Sequence, residues 1–267
     1  MAKLLYFLHR DAPVIPVHMI PVQGESAMKK ILIITGIAWF ITTGMMIIAP
    51  GSLQSATLGI GAAGWYAWWE PKPETRDADA DPGFLYGPQL LLQFNQSVSL
   101  SSVFLFGKFK YYDYSNEGTT SMDITRYDSD TTLTYALNRY VRIFGGLKFM
   151  GYDYNNGSHY GLGPGLGFGL VFPLVERLFG TVGVSGLYLW GEQTDESPEG
   201  DRTMKFIEYG VNNSIALVYA ASPSVNLSIG GRYFFFRYEV TDDQYSDIKE
   251  KHHFYGVTVS AMYLIGL

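Results

Sequence analysis

From residue 57 onward, hydrophobic and polar positions alternate with a period of two, in segment after segment. Successive side chains of a strand point to opposite faces, so this alternation predicts strands whose two faces meet different environments. The clearest case is 160–172. Tyr160, Leu162, Leu166, Phe168, Leu170 and Phe172 fall on one face, and Gly161, Gly163, Gly165, Gly167 and Gly169 on the other. In 141–149, Val141, Ile143, Leu147 and Phe149 alternate with Arg142 and Lys148. In 207–219, Ile207, Tyr209, Val211, Ile215, Leu217 and Tyr219 alternate with Glu208, Asn212 and Ser214. In 255–267, Tyr255, Val257, Val259, Tyr263, Ile265 and Leu267 share a face opposite Thr258 and Ser260. Segment 98–113 reads both ways, because Phe104 and Phe106 compete with Val103, Leu105 and Phe109 for the outer face; a bulge would reconcile them. The pattern predicts about ten strands, near 57–69, 83–94, 98–113, 122–137, 141–154, 159–172, 177–191, 204–220, 225–240 and 252–267, and no sustained helical period.

Two all-β folds produce such a pattern. A soluble sandwich or lipocalin-like barrel turns its apolar face inward. A transmembrane barrel turns it toward lipid, with strands of about 9–11 residues across the apolar layer. Three features favour the second. The connections after the second, fourth, sixth and eighth strands are short (95–97, 138–140, 173–177 and 221–224), while the alternate ones are mostly longer. Short turns at one end and longer loops at the other are the habit of membrane barrels. Aromatic residues gather toward the long-loop end: Trp65, Tyr66, Trp68, Trp69, Tyr111, Tyr112, Tyr114, Tyr152, Tyr154, Tyr160, Tyr188, Trp190, Tyr233 to Phe236 and Tyr238. Amphipathic rings belong at a membrane interface. Finally, Arg126, Asp128, Asp130, Arg142, Lys148, Glu208 and Arg232 fall inside strands. On a soluble barrel they would face solvent; in a membrane barrel they line the lumen, where opposite signs pair. The fold class expected is all-β, a transmembrane antiparallel up-and-down β-barrel of about ten strands.

Composition supports this. Hydrophobic residues make up 47% of the 267-residue chain and charged residues 16%, against roughly 25% charged in soluble domains. The net charge of −6 argues against a nucleic-acid partner, and the absence of cysteine excludes disulfides and thiolate metal sites. From Met28 the chain runs through Lys29 and Lys30, an apolar stretch from Ile31 to Ala49, and small or polar residues to Ala56. That order is an export signal, although the apolar stretch is long enough to compete with a membrane anchor. Ala56 suits the last position before cleavage and Gln54 suits its own position poorly. The expected organisation is an upstream extension over 1–27, a signal peptide over 28–56 and a barrel over 57–267. An even strand count returns both termini to the periplasmic side.

The runs YGPQL at Tyr86 to Leu90 and YGLGPGLGFG at Tyr160 to Gly169, with a final strand ending YLIGL, carry a resemblance. Residues 57–267 resemble the small bacterial outer-membrane β-barrel proteins of eight to ten strands. The resemblance implies outer-membrane lipid, lipopolysaccharide and the barrel-insertion machinery as partners. Barrels of that class commonly end in Phe or Trp, whereas this chain ends in Leu267.

Candidate chemistry is sparse. The expected loops are acidic: Glu70, Glu74, Asp77, Asp79 and Asp81 in the first, Asp195, Glu196, Glu199 and Asp201 in the fourth, and Asp242, Asp243, Asp247 and Glu250 in the fifth. They read either as a cation-attracting crown or as a solvated rim. His252 and His253 beside the fifth loop invite comparison with the omptin proteases, but the close Asp-x-His of that family is absent. A lipid-modifying pair of His253 and Ser260 is disfavoured by spacing, since seven residues put them on opposite faces, and an omptin-like or lipid-modifying enzyme stays as the least favoured alternative. The glycine face of 161–169 either leaves a solute path or makes room for large inward side chains. The function expected is structural or passive small-solute transport, with no catalytic step, metal or cofactor. A surface-interaction role for the acidic loops is the alternative.

Overall fold

The computed structural model describes residues 56–74, 77–115, 118–196, 200–242 and 248–267. The upstream extension and residues 28–55 of the expected signal segment lie outside them, as do Glu199, Asp243 and Asp247 of the acidic loops. Eleven strands follow in order: β1 (Thr57–Pro73), β2 (Asp77–Ala80), β3 (Gly83–Gln93), β4 (Val98–Ser115), β5 (Gly118–Ala136), β6 (Val141–Tyr154), β7 (Gly157–Val175), β8 (Leu178–Asp195), β9 (Arg202–Ser222), β10 (Val225–Val240) and β11 (Lys249–Gly266). Each strand from β3 to β11 pairs antiparallel with the next, and β1 closes the ring by pairing with both β3 and β11. Ten strands make the barrel, so every wall strand has two neighbours and the ring has no open edge.

β2 is the element that alternation did not reveal. It pairs with β4 over Asp77↔Tyr114 to Ala80↔Tyr111, along the same flank of β4 that receives β3 lower down. β2 therefore continues the line of β3, interrupted at Asp81 and Pro82, where proline offers no ladder donor. Asp81 N–H still bonds to Lys110 O at 2.9 Å. Ala78 and Ala80 pack against the core while Asp77 and Asp79 alternate with them.

The register of β4 settles the ambiguity of 98–113 without a bulge. Its ladder with β5 is unbroken from Val98↔Tyr135 to Ser115↔Gly118. Leu105, Phe109 and Tyr111 are buried inside the ring, so Phe104 and Phe106 stand on the outer face.

The two ends differ less in loop length than in wall height. At the end bearing Ala56 and Leu267, here the turn end, asparagine side chains close two turns. Asn95 Oδ1 accepts from Ser97 N–H and Val98 N–H at 2.8 and 2.9 Å, and Asn138 Oδ1 accepts from Tyr140 and Val141 at the same distances. These are the short side-chain-closed turns that asparagine favours. At the opposite, loop end, much of what reads as loop is strand. β6 and β7 are joined by Asn155 and Asn156 alone, and β8 runs on to Asp195. Glu70, Asp195 and Glu250 thus lie in strands rather than loops.

The outer surface carries a continuous apolar band. Leu166 is 74% exposed, and Ile215, Ile229, Phe168 and Leu147 are at least half exposed. A band of this kind, circling a closed barrel whose inner face carries a buried charged cluster among aromatic and aliphatic side chains, is the lipid-facing surface of a membrane-spanning barrel. Exposed Trp68, Trp190, Tyr188 and Tyr233 flank it toward the loop end, and Tyr135, Tyr140, Tyr219 and Tyr263 toward the turn end. Aromatics therefore girdle both edges, not the loop end alone. Trp65, Trp69, Tyr111, Tyr152, Phe234, Phe236 and Tyr238, expected at the interface, instead point inward and are buried.

Candidate functional site

Those inward aromatics meet the inward charges in the middle of the barrel. Strand register explains the meeting. Across the β5–β6 ladder, Arg126 stands opposite Tyr152, Asp128 opposite Met150 and Asp130 opposite Lys148. Arg126 donates to Asp128 at 3.1 Å and to the Tyr152 hydroxyl at 3.0 Å. Lys148 Nζ donates to Asp128 at 2.5 Å and to Asp130 at 2.9 Å. Arg232 arrives from β10, five strands away in the ten-strand ring and so from the opposite wall. It donates to Asp130 at 3.1 Å and to Asn212 at 2.9 Å, and lies 3.6 Å from Asp128. The Arg232–Asp130 contact is thus a spoke across the full lumen.

Aromatic rings close over this cluster on the loop side. The Arg126 guanidinium lies 3.7 Å from the Phe254 ring centroid, and that of Arg232 lies 4.6 Å from Trp65. Trp69 stacks on Tyr152 at 5.8 Å and on Phe254 at 5.2 Å, again bridging separate walls. A cation desolvated against a ring face gains back part of its lost hydration. Arg126, Asp128, Trp65, Phe234 and Phe254 are all 0% exposed. Trp65, Phe234 and Phe254 belong to one buried cluster between the walls.

Glu208 forms a separate buried pair. Its carboxylate lies 3.0 Å from His159 Nε2, and the His159 ring stacks on Phe206 with centroids 4.0 Å apart. Arg126, Lys148 and Arg232 pair with Asp128 and Asp130, and Glu208 with His159, in the barrel interior. Carboxylates pair with each of the three cations, while Arg126 Nε and Glu208 Oε2 are buried without a hydrogen-bond partner among the described residues.

The structure thus brings Arg126, Asp128, Asp130, Lys148 and Arg232 into one cluster, sets Glu208 with His159, and leaves Arg142 apart, exposed near the turn end. The five glycines face inward with them. Gly161, Gly163, Gly167 and Gly169 stand opposite Met150, Lys148, Phe144 and Arg142 of β6. A Cβ on Gly167 would come within 2.6 Å of the Phe144 ring. Large inward residues on other strands follow the same rule: Arg126 faces Gly107, Arg232 faces Gly256 and Phe236 faces Gly210. Glycine is the residue that lets a spoke lie back against the wall.

His159 and Phe144 were not singled out in the sequence, while Tyr152 read as an interface aromatic and Asn212 only as a polar position of its strand. Their strand parity marks them as inward, but nothing in parity says what they touch. His253 and Ser260 do lie on opposite faces: His253 contacts the outward Tyr233 hydroxyl at 2.8 Å, and Ser260 pairs with Ser228 inside. Among the described residues no group of three acidic, histidine or cysteine side chains could hold a metal ion. Several rim carboxylates have tyrosine partners. The hydroxyls of Tyr255, Tyr112 and Tyr154 donate to Glu70, Asp81 and Asp195 at 2.7, 2.8 and 2.7 Å.

No protein-family model matches the sequence, nor does any curated protein. Solved structures that resemble the fold include outer-membrane barrels. The outer-membrane protease OmpT of Escherichia coli aligns over 80% of this chain and 98% of its own, with 9% identity and a TM-score of 0.47. The β domain of the Bordetella autotransporter BrkA aligns over 80% and 100%, with 8% identity and a TM-score of 0.43. The outer-membrane protein OprG of Pseudomonas aeruginosa aligns over 80% and 96%, with 10% identity and a TM-score of 0.38. Similarity of this order carries no argument about activity; the barrel stands on its own strand pairing.

Proposed function

We propose that this chain is an outer-membrane β-barrel of a Gram-negative envelope with a structural role, its lumen sealed in the resting state. The observation that carries the reading is the layer of cross-lumen spokes, in which Trp65, Arg126, Asp128, Phe234 and Phe254 are fully buried. A porin-like conduit needs a water-filled lumen, and these side chains occupy its section. The apolar band and paired aromatic girdles support the membrane placement. The taller, acidic wall at the loop end supports an outward-facing rim, with the turn end and both termini of the barrel in the periplasm. No catalytic role is assigned.

Liposome swelling tests the reading. Vesicles carrying the refolded chain are expected to swell in urea and glycine no faster than protein-free vesicles. Swelling that scales with solute size would overturn the sealed lumen. A protease site inserted at 200–201 is expected to be cut in intact cells; cleavage only after the outer membrane is permeabilised would reverse the orientation.

A further inference from the structure

Four of the five β7 glycines face a large β6 residue, but Gly165 faces Gly146. Two glycines side by side leave the wall bare, and a cavity of about 220 Å³ lies there, on the turn-end side of the ion cluster. Its lining brings together Asp130, Thr132, Phe144, Gly165, Ser185 and Asn212. Lys148 and Arg232 both donate to Asp130 Oδ2, which fixes the carboxylate and leaves Oδ1 as an open acceptor. The Asp130 side chain is 27% exposed. Asn212 spends Oδ1 on Arg232, which leaves its Nδ2 donors without a protein partner among the described residues.

This chemistry selects against charge. An anion entering the cup meets the Asp130 carboxylate, and a cation meets Lys148 and Arg232 directly behind it. A neutral molecule carrying hydroxyls meets neither penalty, and can donate to Asp130 while accepting from Asn212 and Thr132. Phe144 adds an apolar wall for the C–H face of a saturated ring. Drug-sized ligands need roughly 300–1,000 Å³, so the cup suits something smaller, of about one ring.

We infer that the turn-end cup binds a small neutral polyhydroxylated ring, a monosaccharide or cyclitol, held between Asp130 and Asn212 against Phe144. The inference rests on the sealed-lumen reading, because the spokes form the floor of the cup. Solute flux reads the seal and equilibrium binding reads the cup, so the two fail separately.

The test is ligand-observed saturation-transfer NMR on the full chain in a zwitterionic, sugar-free detergent. The probes are D-glucose and myo-inositol, with acetate and methylammonium as charged comparisons. Both polyols are expected to bind saturably and the charged probes not at all. Gly165→Leu should fill the cup, since a Cβ at Gly165 meets only the Gly186 carbonyl oxygen, at 3.5 Å. It is expected to weaken polyol binding about tenfold or more. Phe144→Leu, which removes the ring and keeps bulk, is expected to do the same, and decides the matter if Gly165→Leu does not fold. Absence of saturable binding, equal binding of acetate or methylammonium, or unchanged affinity in a folded variant overturns the inference.

Discussion

Replacing Asp128 by asparagine keeps the shape of the central side chain and removes its charge. The buried Asp128 carboxylate stands 3.1 Å from Arg126, 2.5 Å from Lys148 and 3.6 Å from Arg232. At an effective dielectric of about 20, a pair of unit charges at such distances attracts by roughly 5 kcal/mol. Desolvation of the carboxylate offsets much of this, by several kcal/mol per ion. The three cations remain when the charge is gone. Lys148 and Arg232 keep Asp130, but Arg126 keeps only neutral partners: the Tyr152 hydroxyl, the Met150 sulfur, the Phe254 ring and the new amide oxygen. Removing one partner from a buried charged set costs about 3–5 kcal/mol, and Asp128→Asn is expected within that range. Equilibrium urea unfolding of the barrel in phosphatidylcholine vesicles, followed by tryptophan fluorescence, measures it. Adding Arg126→Met, which removes the stranded cation, should recover part of the loss. A loss below about 1 kcal/mol, with no recovery in the double variant, would mean that water reaches the cluster and that the lumen is not dry.

Two further outcomes follow from the walls of the barrel. Leu166→Arg places a cation on the most exposed apolar position of the band and is expected to cost about 2–4 kcal/mol in vesicles; an equal cost in detergent and in lipid would remove that position from the lipid face. Gly167→Ala forces the Phe144 ring from its seat and is expected to cost about 1–3 kcal/mol. Phe144→Ala on that background should recover only part, because the Val184 carbonyl oxygen also lies 2.4 Å from the added Cβ; a purely additive double variant in the same unfolding assay would show that the ring does not rest on the glycine.

Much of the barrel was legible because lipid outside and packed spokes inside impose the same period of two on every wall strand. All ten wall strands lie where alternation put them, within a few residues. β2 was not legible: its DADA sequence is short and polar, and Asp81 with Pro82 breaks the alternation that would have joined it to β3. Parity could have split Trp65 and Trp69 from Tyr66 and Trp68, yet proximity along the chain made them look like one girdle. The inward charges were legible one by one. Their grouping was not, because the Arg232–Asp130 spoke depends on which strands end up across the ring from each other. The glycine face was legible as a face. That Phe144 lies on Gly167, and that the β6 partner of Gly165 is Gly146, depends on the β6–β7 register, which local sequence does not encode.

The central claim is that side chains from opposite walls seal this barrel. Single-channel recording in planar lipid bilayers with potassium chloride tests it most directly. The wild-type chain is expected to insert without conductance steps, and the double variant Trp65→Ala, Phe254→Ala, which removes two fully buried rings of the seal, is expected to open ion-conducting events. Steady conductance from the wild-type chain, unchanged in the double variant, would contradict the account.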